Sequence, residues 1–321
     1  MNRQNRRWKR RAAVCIGLGA VAVMVVAGCG RGGGGNQPPP AASGPPGATA
    51  PPRADCAKQV SDSDGLSSAL NSASAGDVIC VTGDLSDSRL KIKKGGSADK
   101  PVQVVGDGRT AVKGIDVEAD NVVVDGFTAD QPKAPGASLK GNNITLTNTT
   151  INSPEKGDGD GIRFWGDNIK ILHNTVTDTR NERGSHADCM QSFATDSDSP
   201  ASHNVLIDGN RCTEIDNNCL IVEGPNSSAG DGSGEGETTG ITFSNNYCQN
   251  KAAQAVLLDD VRHATITGNE VVSKISHAWA LQNKSTDAVI KDNRAGSVHF
   301  EVGMDDSSQP GYQGPASGGA P

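Results

Sequence analysis

Short runs in which apolar and polar residues alternate recur along the chain, and each run is broken by a turn centred on Asn or Gly. One run reads Ile169-x-Ile171, followed two residues later by Asn174-x-Val176. Strict alternation is the pattern of a β-strand with one buried face. The successive runs begin at Val122, Ile144, Ile169, Val205, Ile241, Ala264 and Ala288.

The spacing of these runs predicts how the strands are arranged. Most runs start a little over twenty residues after the previous one, two spacings are longer, and no helical periodicity lies between them. A period of this length with short strands is typical of one turn of a parallel β-solenoid. The residues at the turn position are predicted to stack as an amide ladder and so to be structural; they are Asn174, Asn210, Asn246, Asn269 and Asn293.

A second strand can be aligned within each repeat. Its inward positions are Ile162, Met190, Leu220, Val256 and Trp279, with Phe164, Ser192, Val222, Leu258 and Leu281 two residues further on. Alternation then points the remaining side chains outward as an exposed row. That row contains Arg163, Trp165, Gln191, Phe193, Ile221, Glu223, Leu257, Asp259 and Gln282.

The beginning of the repeat region adds a helix and a resemblance. Leu66, Ala69 and Leu70 lie on one helical face after Ser and Asp N-cap candidates, which predicts a short helix capping the solenoid. The following stretches, 75–81 and 97–106, resemble the opening of polysaccharide-lyase-like (pectin-lyase-like) β-helix proteins. The resemblance covers roughly residues 56 to 302. It implies an all-β fold, a single right-handed parallel β-helix over residues 56–305, with sugar contacts on the exposed row.

The N-terminal residues resemble the signal of a bacterial lipoprotein. Six Lys and Arg residues precede an apolar run, and Val26-Ala27-Gly28-Cys29 resembles a lipobox. Residues 1–28 are therefore predicted to be a signal peptide, with Cys29 lipidated and the protein anchored to the outer face of the bacterial cell membrane. An ordinary secretory signal is the alternative. Residues 29–55 are predicted to form a Gly/Pro-rich tether and residues 306–321 a flexible tail.

Composition and charge narrow the partners. The formal net charge is −7, and removal of a leader with six basic and no acidic residues would leave the chain near −13. Such a chain disfavours nucleic acid, anionic membranes, and acidic polysaccharides without a bridging divalent cation. Only 3% of residues are aromatic, too few for a conventional sandwich core. A monomer acting on polysaccharide is expected.

The cysteines provide a test of the alignment. Cys15 leaves with the leader and Cys29 is assigned to lipidation, so six cysteines remain in an oxidising compartment. Cys212 and Cys248 occupy equivalent positions of consecutive units, and so do Cys189 and Cys219. Neighbouring strands lie about 4.8 Å apart, within the Cα range of a disulfide. Bonds Cys212–Cys248 and Cys189–Cys219 are therefore predicted, and Cys56–Cys80 follows by elimination.

Candidate catalytic groups cluster on or beside the exposed row. Glu223 and Asp259 align on successive coils and, with Asp260, could act as acid and base or bind Ca²⁺. His186 is a candidate acid or base oriented by Asp188, and Arg163 is a candidate for binding a substrate carboxylate. The substrate-binding candidates are Trp165, Gln191, Phe193 and Gln282. Two insertions, 194–202 and 224–240, leave the same corner and are predicted to wall one side of a cleft.

Each candidate also has a structural interpretation. His186 and Asp188 could serve only to bond a turn, and Gln191 and Gln282 could be solvent-facing amides. Three functional hypotheses therefore stay open: a carbohydrate-active enzyme, a non-catalytic glycan-binding module, and a structural or adhesive spacer. The enzyme hypothesis is favoured, as a lyase or a glycoside hydrolase. A lyase would use Arg163 or His186 and Ca²⁺ on a uronate, whereas a hydrolase would use the Glu223, Asp259 and Asp260 group.

The resemblance does not choose between these chemistries. The Asp and Arg clusters of calcium-dependent pectate lyases are not clearly reproduced. Asp259-Asp260 resembles the paired aspartates of β-helix polygalacturonases, but the accompanying His-Gly and Arg-x-Lys motifs are missing.

Overall fold

The structure is a computed structural model that describes residues 55–182, 185–228 and 236–321. The predicted signal peptide, Cys29 and nearly all of the tether lie outside these ranges. Within the described residues there is a single α-helix, and it is too short and too polar to cross a membrane.

The described elements are short strands, one helix near the beginning and one 3-10 turn near the end. In chain order they are β1 (Lys58–Val60), α1 (Ser63–Asn71), β2 (Val78–Val81), β3 (Asp84–Leu85), β4 (Leu90–Ile92), β5 (Val102–Val112), β6 (Ile115–Glu118), β7 (Val122–Asp130), β8 (Ala137–Lys140), β9 (Ile144–Thr147), β10 (Thr150–Asn152), β11 (Ile162–Trp165), β12 (Lys170–Leu172), β13 (Thr175–Thr179), β14 (Met190–Phe193), β15 (His203–Asp208), β16 (Arg211–Ile215), β17 (Leu220–Glu223), β18 (Thr238–Ser244), β19 (Tyr247–Asn250), β20 (Gln254–Asp259), β21 (Val261–Arg262), β22 (Thr265–Thr267), β23 (Glu270–Val271), β24 (His277–Gln282), β25 (Val289–Lys291), β26 (Phe300–Met304), the 3-10 turn Asp306–Ser308, and β27 (Ser317–Gly319).

The strands stack coil upon coil into a single right-handed parallel β-helix, as predicted. The coils contribute one or two strands each to a 17-stranded sheet and one strand each to a 10-stranded sheet, called here the second sheet. The second sheet runs β4, β6, β8, β11, β14, β17, β20, β24, β26, β27. The register of the first sheet reproduces the sequence alignment, with the partners Leu146, Ile171, Ile207, Phe243, Ile266 and Ile290 on consecutive coils.

The core is the stack of inward side chains predicted from the alternation. Met190, Leu220, Val256 and Trp279 are register partners along the second sheet and are fully buried. Burying an aliphatic side chain of this size contributes about 2 kcal/mol. Because this burial is repeated on every coil, it holds the second sheet firmly against the first sheet across the core.

Helix α1 covers the first coil, which confirms the predicted cap. Its N-cap is Asp62, whose carboxylate accepts a hydrogen bond from the backbone N–H of Gly65 at 2.8 Å. Leu66, Ala69 and Leu70 form its buried face. The helix thereby protects strand edges that would otherwise be open to other chains.

The asparagine ladder is also confirmed. The side-chain oxygen of Asn210 accepts from both the backbone N–H and the amide nitrogen of Asn174, at 2.8 and 3.0 Å. Asn210 and Asn246 repeat the same two bonds one coil further. These amides satisfy backbone groups buried at a turn, which is the structural role expected of them.

Among the described residues three disulfides form, and only Cys56–Cys80 was predicted correctly. Cys212 and Cys248 are register partners, yet the bonds are Cys189–Cys212 and Cys219–Cys248. Register partners on parallel strands have parallel Cα–Cβ bonds, so their Cβ atoms stay about 4.8 Å apart, whereas a disulfide needs about 3.8 Å. The four cysteines form two facing columns, and the bonds join the columns, with Cα atoms 5.9 and 6.0 Å apart.

Residues 306–321 differ from the predicted flexible tail. Strand β27 pairs with β26, Ser317 opposite Val302, and Tyr312 packs against the core with its hydroxyl donating to the carbonyl of Pro315 at 2.8 Å. The last full coil leaves backbone donors and acceptors unpaired at its edge. Pairing with a Ser/Gly strand satisfies them, a gain that composition alone does not reveal.

Candidate functional site

The outer face of the second sheet carries two rows of side chains, in the register predicted from the sequence. One row holds Arg163, Gln191, Ile221 and Leu257 on consecutive coils. The other contains Lys140, Trp165, Phe193, Glu223, Asp259 and Gln282. Strand pairing sets the spacing of each row, because successive coils are about 4.8 Å apart.

Glu223 and Asp259 are direct register partners on β17 and β20. Glu223 is half-buried, and burial, together with the charge of Asp259, raises its pKa to about 7. Asp259 is buried; its Oδ2 accepts a hydrogen bond from Nε2 of Gln282 at 2.8 Å, and its Oδ1 has no partner among the described residues. The pair therefore joins a carboxyl that protonates near neutral pH to a second carboxylate fixed beside it.

Asp260 does not join this pair. It adopts a left-handed conformation, φ 59°, and its Oδ2 accepts from the backbone N–H and the side-chain amide of Asn226 at 2.6 and 3.0 Å. These bonds hold the loop after β17, and a catalytic or metal-binding role for Asp260 stays a prediction. The described residues contain no group of three or more His, Cys, Asp or Glu arranged to hold a metal ion, and the predicted calcium set does not fit.

Arg163 is occupied by two carboxylates. Its Nε donates to Oδ2 of Asp160 at 2.6 Å and its Nη2 to Oδ2 of Asp158 at 2.6 Å, while the guanidinium lies 5.4 Å from the Phe193 ring centre. It is therefore not a free cation for a substrate carboxylate. Asp160, which the sequence analysis missed, is fully buried. Its alignment with Asp188 one coil later was the available signal.

Asp188 is buried and does not orient His186. The Oδ1 of Asp188 accepts from the backbone N–H of Asn218 at 2.8 Å and from the amide of Asn217 at 2.9 Å, and its Oδ2 has no partner within the described structure. Burial raises the pKa of Asp188 well above its ordinary value, and the charge of Asp160 raises it further. His186 is exposed in the preceding turn, so the predicted His–Asp pair is wrong.

The aromatic candidates contact each other instead of presenting an open face. Trp165 is only 4% exposed; its indole N–H donates to the carbonyl of Phe193 at 2.8 Å, and the two rings pack edge to face at 5.1 Å. Lys140 lies 4.9 Å from the Trp165 ring centre. Phe193 is half-buried and is the more accessible ring. Trp165 is therefore covered, although the alternation placed it in the exposed row.

Gln191 and Gln282 differ in their surroundings. Gln282 is half-buried and bonded to Asp259, whereas Gln191 is 8% exposed and its Oε1 has no partner in the part of the chain that the structure describes. Neither is a freely solvated amide. Gln191 therefore adds a further unpaired acceptor to the outer face, on the coil before that of Glu223.

The first insertion lies against the sheet, as predicted. A cavity of about 440 Å³ is lined by Lys140, Trp165, Ser197 and Asp198, among others, and Nζ of Lys140 donates to the carbonyl of Asp198 at 3.0 Å. A second cavity of about 330 Å³ is bounded by residues 194–201 together with Pro225 and Gly236. The described ends of the second insertion thus meet the first insertion, and the first insertion lies beside the Trp165 end of the outer face.

Comparisons with known proteins agree with the fold. The structure is similar to two structures of the PL6 family alginate lyase AlyGC. A substituted form gives a TM-score of 0.57 at 15% identity, covering 79% of this chain and 40% of that one. The other AlyGC structure gives a TM-score of 0.54 at 16% identity, covering 76% of this chain and 40% of that one. A GH136 lacto-N-biosidase from Eubacterium ramulus gives 0.44 at 12% identity, covering 79% and 64%.

The chain thus spans about two fifths of the length of AlyGC. No family model matches the sequence, and no curated protein matches it at a significant level. At these identities the AlyGC structures establish the fold alone: a right-handed parallel β-helix.

Proposed function

We propose that the protein hydrolyses glycosidic bonds of a polysaccharide on the outer face of the second sheet. The observation that carries the proposal is the Glu223–Asp259 pair, two register partners of which one has a pKa of about 7. A carboxyl that keeps its proton near neutral pH can donate it to the leaving oxygen of a glycosidic bond. Glu223 is accordingly assigned as the general acid.

Asp259 is assigned as the second, ionised carboxylate of the pair. Its Oδ2 is held by Gln282, and in this proposal its negative charge stabilises the positive charge that develops on the sugar ring. Glycosidases commonly use two carboxyl groups in this way, and the close pair about 5 Å apart belongs to retaining enzymes. The strands that carry Glu223 and Asp259 are about 4.8 Å apart, so their carboxyl groups can approach each other as closely as that class requires.

Hydrolysis suits the charges of the site better than elimination from a uronate. A lyase needs a cation to neutralise the substrate carboxylate, and Arg163 already pairs with Asp158 and Asp160. The candidate calcium set is not assembled in the described residues. A substrate carboxylate would also meet the charge of Asp259, so the favoured substrate is not a uronate.

The test is a panel of polysaccharides followed in two channels: new reducing ends and absorbance near 235 nm, which reports an unsaturated product. We expect reducing ends without that absorbance, and a loss of about 100-fold or more in Glu223→Gln. Glu214→Gln, an exposed glutamate on β16, is the matched control and should keep full activity. Unsaturated product would replace hydrolysis with lyase chemistry, and binding without turnover would favour a glycan-binding module.

We further propose that the protein is exported and anchored through Cys29. The basic and apolar leader with its lipobox-like end supports this, and the disulfides of the described domain suit an oxidising compartment. Membrane fractionation of cells producing the wild type and Cys29→Ser tests the anchor. The wild type should pellet with membranes and be released by detergent, and the variant should appear in the soluble exported fraction. Equal distribution of the two would refute lipidation.

A further inference from the structure

We propose that the outer face of the second sheet takes a glycan whose sugars carry free amino groups, with an ammonium group seated against Glu223 and Asp259. The proposal rests on the site proposed above, but it concerns the chemistry of binding and not the cleavage step. Three observations lead to it: unpaired acceptors, the balance of charge, and an apolar strip beside the carboxylates.

The unpaired groups of the site are acceptors. Oδ1 of Asp259 and Oε1 of Gln191 are buried, and neither has a hydrogen-bond partner among the described residues. Both residues are more than nine-tenths buried, at 2% and 8% exposure. A buried acceptor without a donor costs free energy, so a ligand that brings a donor or a positive charge next to these oxygens is favoured. An ammonium group has three donors and no acceptor.

Within residues 55–182, 185–228 and 236–321, no Lys, Arg or His forms an ion pair with Glu223 or Asp259. The nearby cation, Arg163, is shared by Asp158 and Asp160. Lys140 lies at the Trp165 end of the row and binds a backbone carbonyl. Neither forms an ion pair with Asp259, whose charge contributes to the raised pKa of Glu223. A ligand cation would relieve that repulsion, whereas a uronate would add to it.

An apolar strip runs beside the carboxylates. Ile221 and Leu257 are register partners in the neighbouring row, and Leu257 is partly exposed. A pyranose ring has an apolar face and polar edges, so it can lie on this strip with an edge substituent directed at Glu223. The overall net charge of −7 would also attract a cationic polymer over distance.

The test compares sugars that differ only in the charge of one substituent. The probes are a glucosamine tetramer, the same tetramer fully N-acetylated, and glucosamine with N-acetylglucosamine as monosaccharides, which removes any dependence on linkage. Dissociation constants are measured by calorimetry on the full-length protein in mild detergent at pH 6. We expect the amino forms to bind at least about tenfold more tightly, the size of one charge-assisted hydrogen bond.

The variants locate the preference. Asp259→Asn should reduce the preference for the amino sugar, whereas Glu223→Gln should change it less, because Glu223 is largely protonated at pH 6. Glu214→Gln should leave the preference unchanged, and added salt should weaken it in the wild type. Near-ultraviolet circular dichroism shows whether each variant is folded. Equal affinities for the amino and acetylated sugars, or no binding of any of them, would overturn the inference.

The binding result is separate from the cleavage result. Hydrolysis of neutral glycans without a preference for amino sugars would overturn this inference and leave the proposed function standing. Selective binding of amino sugars without cleavage of any polymer would support this inference and overturn the proposed hydrolysis.

Discussion

The backbone N–H of Asp188 donates to Oδ1 of Asp160 at 2.8 Å, so two buried carboxyl groups stack on successive coils. Arg163 pairs with Asp160 but not with Asp188. Burial raises the pKa of Asp188 well above its ordinary value, and the neighbouring charge of Asp160 adds to the rise. Burial raises the pKa of Asp160 as well, but there the charge of Arg163 opposes the rise. Among the described residues Asp188 has no such cation in contact, so its carboxyl holds a proton more readily than that of an ordinary aspartate.

This difference predicts opposite effects for two isosteric substitutions. Asp188→Asn should leave the free energy of unfolding at neutral pH unchanged or higher, because an amide replaces a group that is costly to ionise. Asp160→Asn should destabilise by about 2 kcal/mol, because the half-buried guanidinium loses a charge-assisted hydrogen bond. Urea denaturation of both variants at pH 7 measures this. Asp158→Asn, which removes an exposed partner of Arg163, is the control and should cost less than about 1 kcal/mol.

Asp188→Asn should also change how the free energy of unfolding depends on pH. A carboxyl with a folded-state pKa above its unfolded value adds stability at low pH, and that stability is lost as pH rises through the folded pKa. Asp188→Asn should therefore flatten the fall of stability toward higher pH. If the stability of Asp188→Asn falls with rising pH as steeply as that of the wild type, Asp188 is ionised in the folded protein.

Glu223 predicts the pH dependence of cleavage. The general acid must be protonated, so kcat/KM should fall above about pH 7, the pKa to which burial and Asp259 raise Glu223. In Asp259→Asn the repulsive charge is gone, so the pKa of Glu223 should move down while burial keeps it above 4.5. Carbon NMR of labelled glutamate carboxyls measures this without any need for activity. An unchanged pKa in Asp259→Asn would contradict the coupling.

The disulfides can be verified by peptide mapping. Digestion without reduction should yield linked peptides for Cys189–Cys212 and Cys219–Cys248. Removing the first bond with the double substitution Cys189→Ala and Cys212→Ala should cost about 3 kcal/mol, measured by thermal or urea unfolding. The mismatched double substitution Cys189→Ala and Cys219→Ala should cost more, because it breaks both bonds. Peptides linking Cys189 to Cys219 would contradict the structure.

The fold and its register could be predicted from the sequence because both depend on periodicity. Alternation fixes which residues face inward, and equivalent positions such as Met190 and Leu220 must then pair. The position of Glu223 beside Asp259 followed from the same alignment and is confirmed. These contacts join equivalent positions of successive coils, and the sequence repeat shows which positions are equivalent.

Relationships across a coil or within a turn were not accessible in this way. The partner of Cys189 is Cys212, which faces it from another side of the coil, and the repeat does not show which columns face each other. Asp260 follows Asp259 directly, yet a left-handed backbone turns it toward Asn226. Trp165 is outward in the alternation, but Phe193 and residues of the first insertion cover it. Each depends on loop geometry that the alternation leaves undetermined.

The asparagine ladder yields a prediction about stability without function. The amide nitrogen of Asn210 donates to the carbonyl of Ile171 at 2.8 Å and to Oδ1 of Asn246 at 3.0 Å, and its oxygen accepts from Asn174. Asn210→Ala would leave several of these buried groups unpaired, so we expect a loss of about 3 kcal/mol in the free energy of unfolding. Asn293→Ala, at the half-buried end of the ladder, should cost less because water can replace the amide there. Urea unfolding of the two variants, with cleavage assayed well below the transition, distinguishes a structural ladder from a functional one. Equal losses at both positions would contradict the role of burial, and loss of cleavage in a folded Asn210→Ala variant would contradict the structural assignment.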